Sequence, residues 1–225
     1  MNQTTVDGKM IVRLLLATGL MWGLTEAALG VGLRGACGVG VTGAVMTGWA
    51  VCCLSAGYHA TRRLWAPAAL LAVAAGLKML DAAVLGLPVG HGSVVNPVFA
   101  FAVQAVLLVV LAAVVRWAKA DGRAVDMAAG GLIGLGAAGL FPLAGFVTGS
   151  PACVHAGTTL PVAIVYAPLS AALGSVAYPL GRVLAEHLRD WLAAGSAPAP
   201  ARARWIDAAA AAALVLFIGV ELLAR

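Results

Sequence analysis

Four charged side chains, Glu26, Lys78, Asp81 and Glu221, and one primary amide, Gln104, lie within stretches of sequence that are otherwise apolar. A charge in hydrocarbon costs roughly 3 kcal/mol on insertion scales unless it is paired or hydrated, so such groups point to function. Held together away from bulk water, they could bind a zwitterion, an organic cation or a metal ion. Each also has a plainer role open to it. Lys78 and Asp81 are three residues apart on one helical face and could neutralise each other. Glu26 follows Trp-Gly-Leu-Thr and could be a protonated carboxyl bonded to a neighbouring helix.

A second set of polar groups sits in two short segments between apolar runs. One carries His91, Ser93 and Asn96, the other Thr148, Ser150, Cys153, His155 and Thr158. His91, Cys153 and His155 have the donor types for a soft or borderline cation such as nickel, cobalt, zinc or copper. The two histidines could instead ligate a haem, or simply be solvated imidazoles. Asn96 precedes Pro97, a common way to open a helix, and is expected to cap one. His91-Gly92-Ser93 sets a hydroxyl beside a base, but neighbours in sequence seldom have the geometry of a hydrolase. The sequence contains no HExxH, no glycine-rich nucleotide loop followed by Lys and Ser or Thr, and no GxSxG. No catalytic residue and no resident cofactor are therefore assigned.

The elements that must position these groups are apolar runs: 11–30, 40–57, 67–87, 97–117, 127–147, 158–178 and, less cleanly, 207–224. Each is about the length a helix needs to cross roughly 30 Å of hydrocarbon. Of the 225 residues 62% are hydrophobic and only 10% charged, and the mean hydropathy is +0.99, which a soluble globule could not bury. The expected fold is an all-α, polytopic transmembrane bundle. It has a six-helix core over 1–194, a Pro and Ala linker at 195–204 and a seventh helix within 205–225. The first run begins too late and is too long for a removable signal peptide, so it is expected to stay as a helix.

Basic residues fix the orientation. Lys9 and Arg13, then Arg62 and Arg63, then Arg116, Lys119 and Arg123, then Arg182, Arg189, Arg202 and Arg204 fall in alternate gaps or, for Arg13 and Arg116, at the run ends that border them. Arg34 and Arg225 are the exceptions outside the runs. An excess of Lys and Arg marks the cytoplasmic side, so the amino terminus is expected inside. The pI of 9.4 is then a topology signal that needs no nucleic acid partner, and the inner cations would also meet anionic lipid. With this orientation Glu26, Lys78, Asp81, Gln104 and Glu221 all fall in the outer half, beneath the two polar loops. The expectation is a bowl that takes a small molecule or ion from outside the cell.

Packing signals accompany these groups. Gly19, Gly23 and Ala27 recur every fourth residue in the first run, and Gly130 and Gly134 do so in the fifth. Pro142, Pro161 and Pro168 are expected to kink or unwind the fifth and sixth helices. The tryptophans are mostly interfacial anchors, with Trp22 and Trp49 placed to face a ligand. Cys52 and Cys53 are adjacent, about 100° apart on a helix, and form no metal motif. Cys37 and Cys153 fall on the outer side; a disulfide between them is open, although thiols packed as small apolar groups are the favoured expectation.

This plan resembles the substrate-binding S components of energy-coupling factor transporters. The likeness rests on GLMWGLTEAALG in the first run, AAGLKMLDA in the third and SVVNPVFAFAVQA at the start of the fourth, and extends over 11–186. The resemblance implies capture of a vitamin or metal ion at the outer face of a bacterial inner membrane. It also implies delivery through a transmembrane coupling protein and ATPase subunits, with the Gly19, Gly23 and Ala27 row as the surface for the coupling partner. Glu26, Lys78, Asp81, His91, Asn96, Gln104 and His155 would line the pocket. Two other functions stay open: a non-catalytic anchor or assembly subunit of a larger complex, and a redox subunit holding haem or quinone.

Overall fold

A computed structural model describes residues 8–32, 40–149 and 153–194. The linker, the seventh helix, Glu221 and Cys37 lie outside the described residues. The described chain is an all-α bundle: α1 (Gly8–Gly32), α2 (Gly40–Thr61), α3 (Ala66–Val84), α4 (Gly92–Trp117), α5 (Arg123–Leu140), α6 (Ala144–Thr148), α7 (Val162–Val165) and α8 (Ala167–Ala194). The extended structure among the described residues is a single bridge, Val154 to Pro161.

Among the described residues five segments are long and apolar enough to cross a membrane: Gly8–Ala27, Val41–Thr61, Ala66–Val84, Gly92–Trp117 and Arg123–Thr148. Their outer surfaces carry apolar side chains that a soluble protein would bury, among them Phe146 at 89% exposure and Val106, Val110 and Val114 along one face of α4. The last three recur every fourth residue and form one stripe. The protein is therefore a multi-pass membrane protein. Pro142 falls in a 3₁₀ turn, Phe141–Leu143, which separates α5 from α6 as its missing N–H requires.

The sixth helix departs from the run at 158–178. Residues 153–161 instead fold back on themselves: His155 N donates to Leu160 O at 2.8 Å and Val162 N to Cys153 O at 2.9 Å. Helix α8 starts only at Ala167, with Pro168 in the first turn, where a missing N–H has no consequence. It then continues 16 residues past Tyr178, because beyond that point it is amphipathic and an apolar run no longer traces it.

Helix α8 is less apolar than the five spans because its contacts are made by small residues. Gly174 faces the Gly130 carbonyl, and Gly134 faces the Ser170 carbonyl, so α5 and α8 run antiparallel at backbone contact. On its other side Gly181 meets the Cys52 carbonyl, and Ser55 Oγ donates to Tyr178 O at 2.7 Å. At the basic end Arg189 Nε donates to Ala60 O at 2.9 Å and its Nη2 to His59 O, taking up carbonyls that α2 leaves unbonded. From Gly48 to Ala60, α8 accompanies α2 in parallel.

The row of Gly19, Gly23 and Ala27 is also spent inside the molecule. A Cβ on Gly19 would meet Val73 at 2.8 Å, one on Gly23 would meet the Ala74 Cα at 3.2 Å, and Ala27 is fully buried. This corrects the expectation of a coupling surface there: the small residues let α1 lie against α3. The main core fills the space between the helices with Trp22, Leu54, Leu70, Phe101, Leu108 and Ile133.

Candidate functional site

Helices α1 and α3 are parallel, with Gly19 at Val73 and Gly23 at Leu77. Carried one turn on, that register sets Glu26 and Ala27 level with Lys78 and Asp81. Lys78 is 6% exposed and Glu26 half-buried, and both take part in polar or electrostatic interactions within the chain. Asp81 is helical, but its side chain lies outside what is described.

One turn deeper, Trp22 packs on Phe101 of α4, with ring centroids 4.8 Å apart and planes at 59°. Gln104 follows Phe101 by one helical turn and is 3% exposed. Trp49 packs against the same core from α2. Trp22 Nε1, Trp49 Nε1 and Gln104 Oε1 are all buried without a hydrogen-bond partner among the described residues. Each such atom costs about 1–3 kcal/mol relative to a satisfied one. These atoms lie near the middle of their spans, so the polar groups of α1, α3 and α4 form a layer from mid-depth outward, to which α2 adds Trp49 at about the same depth.

The loop residues take other roles. His91 caps α4: its Nδ1 stands 2.7 Å from Ser93 Oγ and accepts from Ser93 N at 3.3 Å. The cap therefore belongs to His91, five residues before the position expected for Asn96. Asn96 Oδ1 instead lies 3.2 Å from Thr148 Oγ1, tying α4 to α6. His91→Ala is expected to lower stability by ~1 kcal/mol, read as a fall in melting temperature of the detergent-solubilised protein.

His155 is half-buried in the folded-back loop, where its backbone bonds to Leu160. Cys153 is disulfide-bonded, whereas Cys52 and Cys53 are buried free thiols. That corrects the expectation of a free thiol at Cys153 and removes it from the metal set with His91 and His155. No group of three or more His, Cys, Asp or Glu among the described residues is placed to hold a metal.

Sequence reasoning missed a second polar cluster at the basic end. A cavity of about 250 Å³ is lined by Tyr58, His59, Arg62, Arg116, Lys119, Asp121, Asp126, Tyr178 and Arg182, with Ala and Val side chains between them. Arg182 Nη1 bonds Asp126 Oδ2 at 2.9 Å and Asp121 Oδ1 at 3.3 Å. His59 is 5% exposed, and neither of its ring nitrogens has a partner among the described residues. The available signal was a histidine two residues past the second apolar run, followed by Arg62 and Arg63. Reading the cations purely as topology markers hid it.

The fold and its buried polar layer define a helical, multi-pass membrane protein that carries polar groups in its interior. Comparison with protein-family models, with curated proteins and with solved structures finds no match to this chain.

Proposed function

We propose that this protein is a substrate-binding component for uptake of a small solute, of the vitamin or metal-ion class, from the extracytoplasmic side of a bacterial inner membrane. The observation that carries the reading is the pair of unpartnered polar atoms, Trp22 Nε1 and Gln104 Oε1, buried at mid-depth in the layer that Lys78 and Glu26 continue outward. A donor and an acceptor left unsatisfied in a low-dielectric interior favour a ligand that supplies both partners. Lys78 and Glu26 add charge for a polar or zwitterionic solute, and His91 and Asn96 at the start of α4, with His155 in the folded-back loop, belong to the same outer side in the expected orientation. The positive-inside pattern gives the orientation. Transport driven by a transmembrane coupling protein and ATPase subunits accords with the resemblance to S components. The coupling surface on this reading is a face other than the one α3 covers.

Native mass spectrometry of the purified protein tests this. A small molecule should accompany the wild-type chain. Gln104→Leu should reduce its retention tenfold or more while leaving the melting temperature unchanged or higher, since an unsatisfied acceptor is removed. Equal retention by Gln104→Leu and Lys78→Met would defeat the proposal, as would a wild type that carries no solute and is stabilised by none from a library of vitamins and divalent cations.

A further inference from the structure

The cavity at the basic end has a composition that the solute site does not explain. Arg62 follows α2, Arg116 and Lys119 end α4, and Arg182 comes from α8. Both carboxylates present, Asp121 and Asp126, are bonded to Arg182. Arg62, Arg116 and Lys119 form no ion pair with them, so the cavity keeps an excess of positive charge. His59 stands at its wall between Tyr58 and Tyr178, whose ring centroids are 5.1 and 5.5 Å away, with both ring nitrogens unbonded. Whichever nitrogen carries the proton, the ring holds a buried N–H with no partner among the described residues.

Backbone geometry adds an independent mark. Among the described residues the non-glycine positions with positive φ are Arg62, at 56°, and Lys119, at 52°. Both end helices in the left-handed conformation that glycine usually supplies: Arg62 N bonds Tyr58 O at 2.7 Å, and Ala120 N closes back on Val115 O at 3.1 Å. The two positions where glycine would be easier on the backbone both carry cations, and both line this cavity.

We propose that the cavity binds a phosphate group through Arg62, Arg116, Lys119 and the His59 N–H. An excess of fixed cations repels metal ions and organic cations. About 250 Å³ is below the roughly 300–1,000 Å³ of pockets for drug-sized ligands, which suits a phosphate group better than a whole drug-sized molecule. Arginine and lysine together are the usual partners of phosphate oxygens. The group can come from the headgroup of an anionic lipid in the cytoplasmic leaflet or from a soluble phosphate compound, both of which reach this end of the bundle.

The plainer reading, that these cations only offset helix C-terminal dipoles, makes the opposite forecast for one pair of variants. Lys119→Gly and Arg62→Gly relieve a left-handed residue, so in the absence of anion they should fold and melt at the same temperature or higher. Full-length protein in phosphatidylcholine nanodiscs is titrated with inorganic phosphate and followed by thermal shift and isothermal calorimetry. Wild type should show saturable binding, weakened at least fivefold by each glycine variant and by His59→Phe. Repeating the titration in nanodiscs containing phosphatidylglycerol separates the sources: a tenfold or greater loss of apparent phosphate affinity identifies the lipid headgroup, and an unchanged affinity identifies a soluble phosphate. Absence of saturable binding in both nanodiscs overturns the proposal, and so do glycine variants that melt lower yet bind phosphate as wild type does.

Discussion

Gly174→Val is expected to lose the folded bundle, with a destabilisation of roughly 3 kcal/mol or more. A Cβ at this position would overlap the Gly130 carbonyl oxygen and stand 3.0 Å from its carbonyl carbon and 3.5 Å from Gly134 N. These are backbone atoms of an adjacent helix and cannot rotate away. Helices in lipid gain little from the hydrophobic effect against one another, so separating α5 from α8 removes the close packing that holds them. Gly139→Ala gives the control, because a Cβ there meets nothing within 4 Å. It should be neutral or stabilising by ~0.5–1 kcal/mol through helix propensity alone. Thermal aggregation followed by size-exclusion chromatography in detergent reads both variants. A Gly174→Val protein that melts like Gly139→Ala would show that the α5–α8 contact is not made.

Arg182→Met is expected to cost about 2–3 kcal/mol. Breaking a buried ion pair by removing one partner typically costs about 3–5 kcal/mol. The Arg182 side chain keeps 29% exposure against 12% for Asp126, which brings the expected loss below that range. The penalty is that of the stranded Asp126 carboxylate, so removing both charges in Arg182→Met with Asp126→Leu should recover most of the loss. Denaturation in a graded detergent mixture measures the cycle, and a double variant no more stable than the single one would refute the account.

The same cluster gives a pH signature. The hydrogen bond from Gly122 N, and then that from Arg182, holds the Asp121 carboxyl below its ordinary value, while the bond to Asp126 raises Arg182. A depressed carboxyl contributes stability above its unfolded value that is lost as pH falls through the folded one. Arg182→Met should therefore make the acid limb of the stability profile shallower without abolishing it, since the Gly122 bond to Asp121 remains.

Apolar length and the alternation of basic gaps made five spans legible, because lipid imposes both on any helix that crosses it. The same criterion misplaced the sixth. Helix α8 is sheltered by α2 and α5, so glycine and serine serve it better than leucine, and its apolar run neither starts nor stops with the helix. The glycine rows were visible, but their partners were not: which helix faces Gly23 or Gly130 is a fact of tertiary pairing. Lys78, Glu26 and Gln104 were found because polarity inside a run is conspicuous. His59 was not, since it falls just beyond a run's edge among residues that already had an explanation. That Arg62 and Lys119 adopt left-handed backbone is invisible in residue types, glycine being the usual occupant of such a position.

The close backbone seams join α2, α5 and α8 into one unit, clasped at the basic end by Arg189. Helices α1 and α3 meet each other through the Val73 and Leu77 side chains and the Ala74 Cα, with no carbonyl oxygen of one facing a glycine of the other. Of the described bundle this three-helix unit is the part least easily prised apart, and Trp22, Lys78 and Glu26 lie on the two helices outside it.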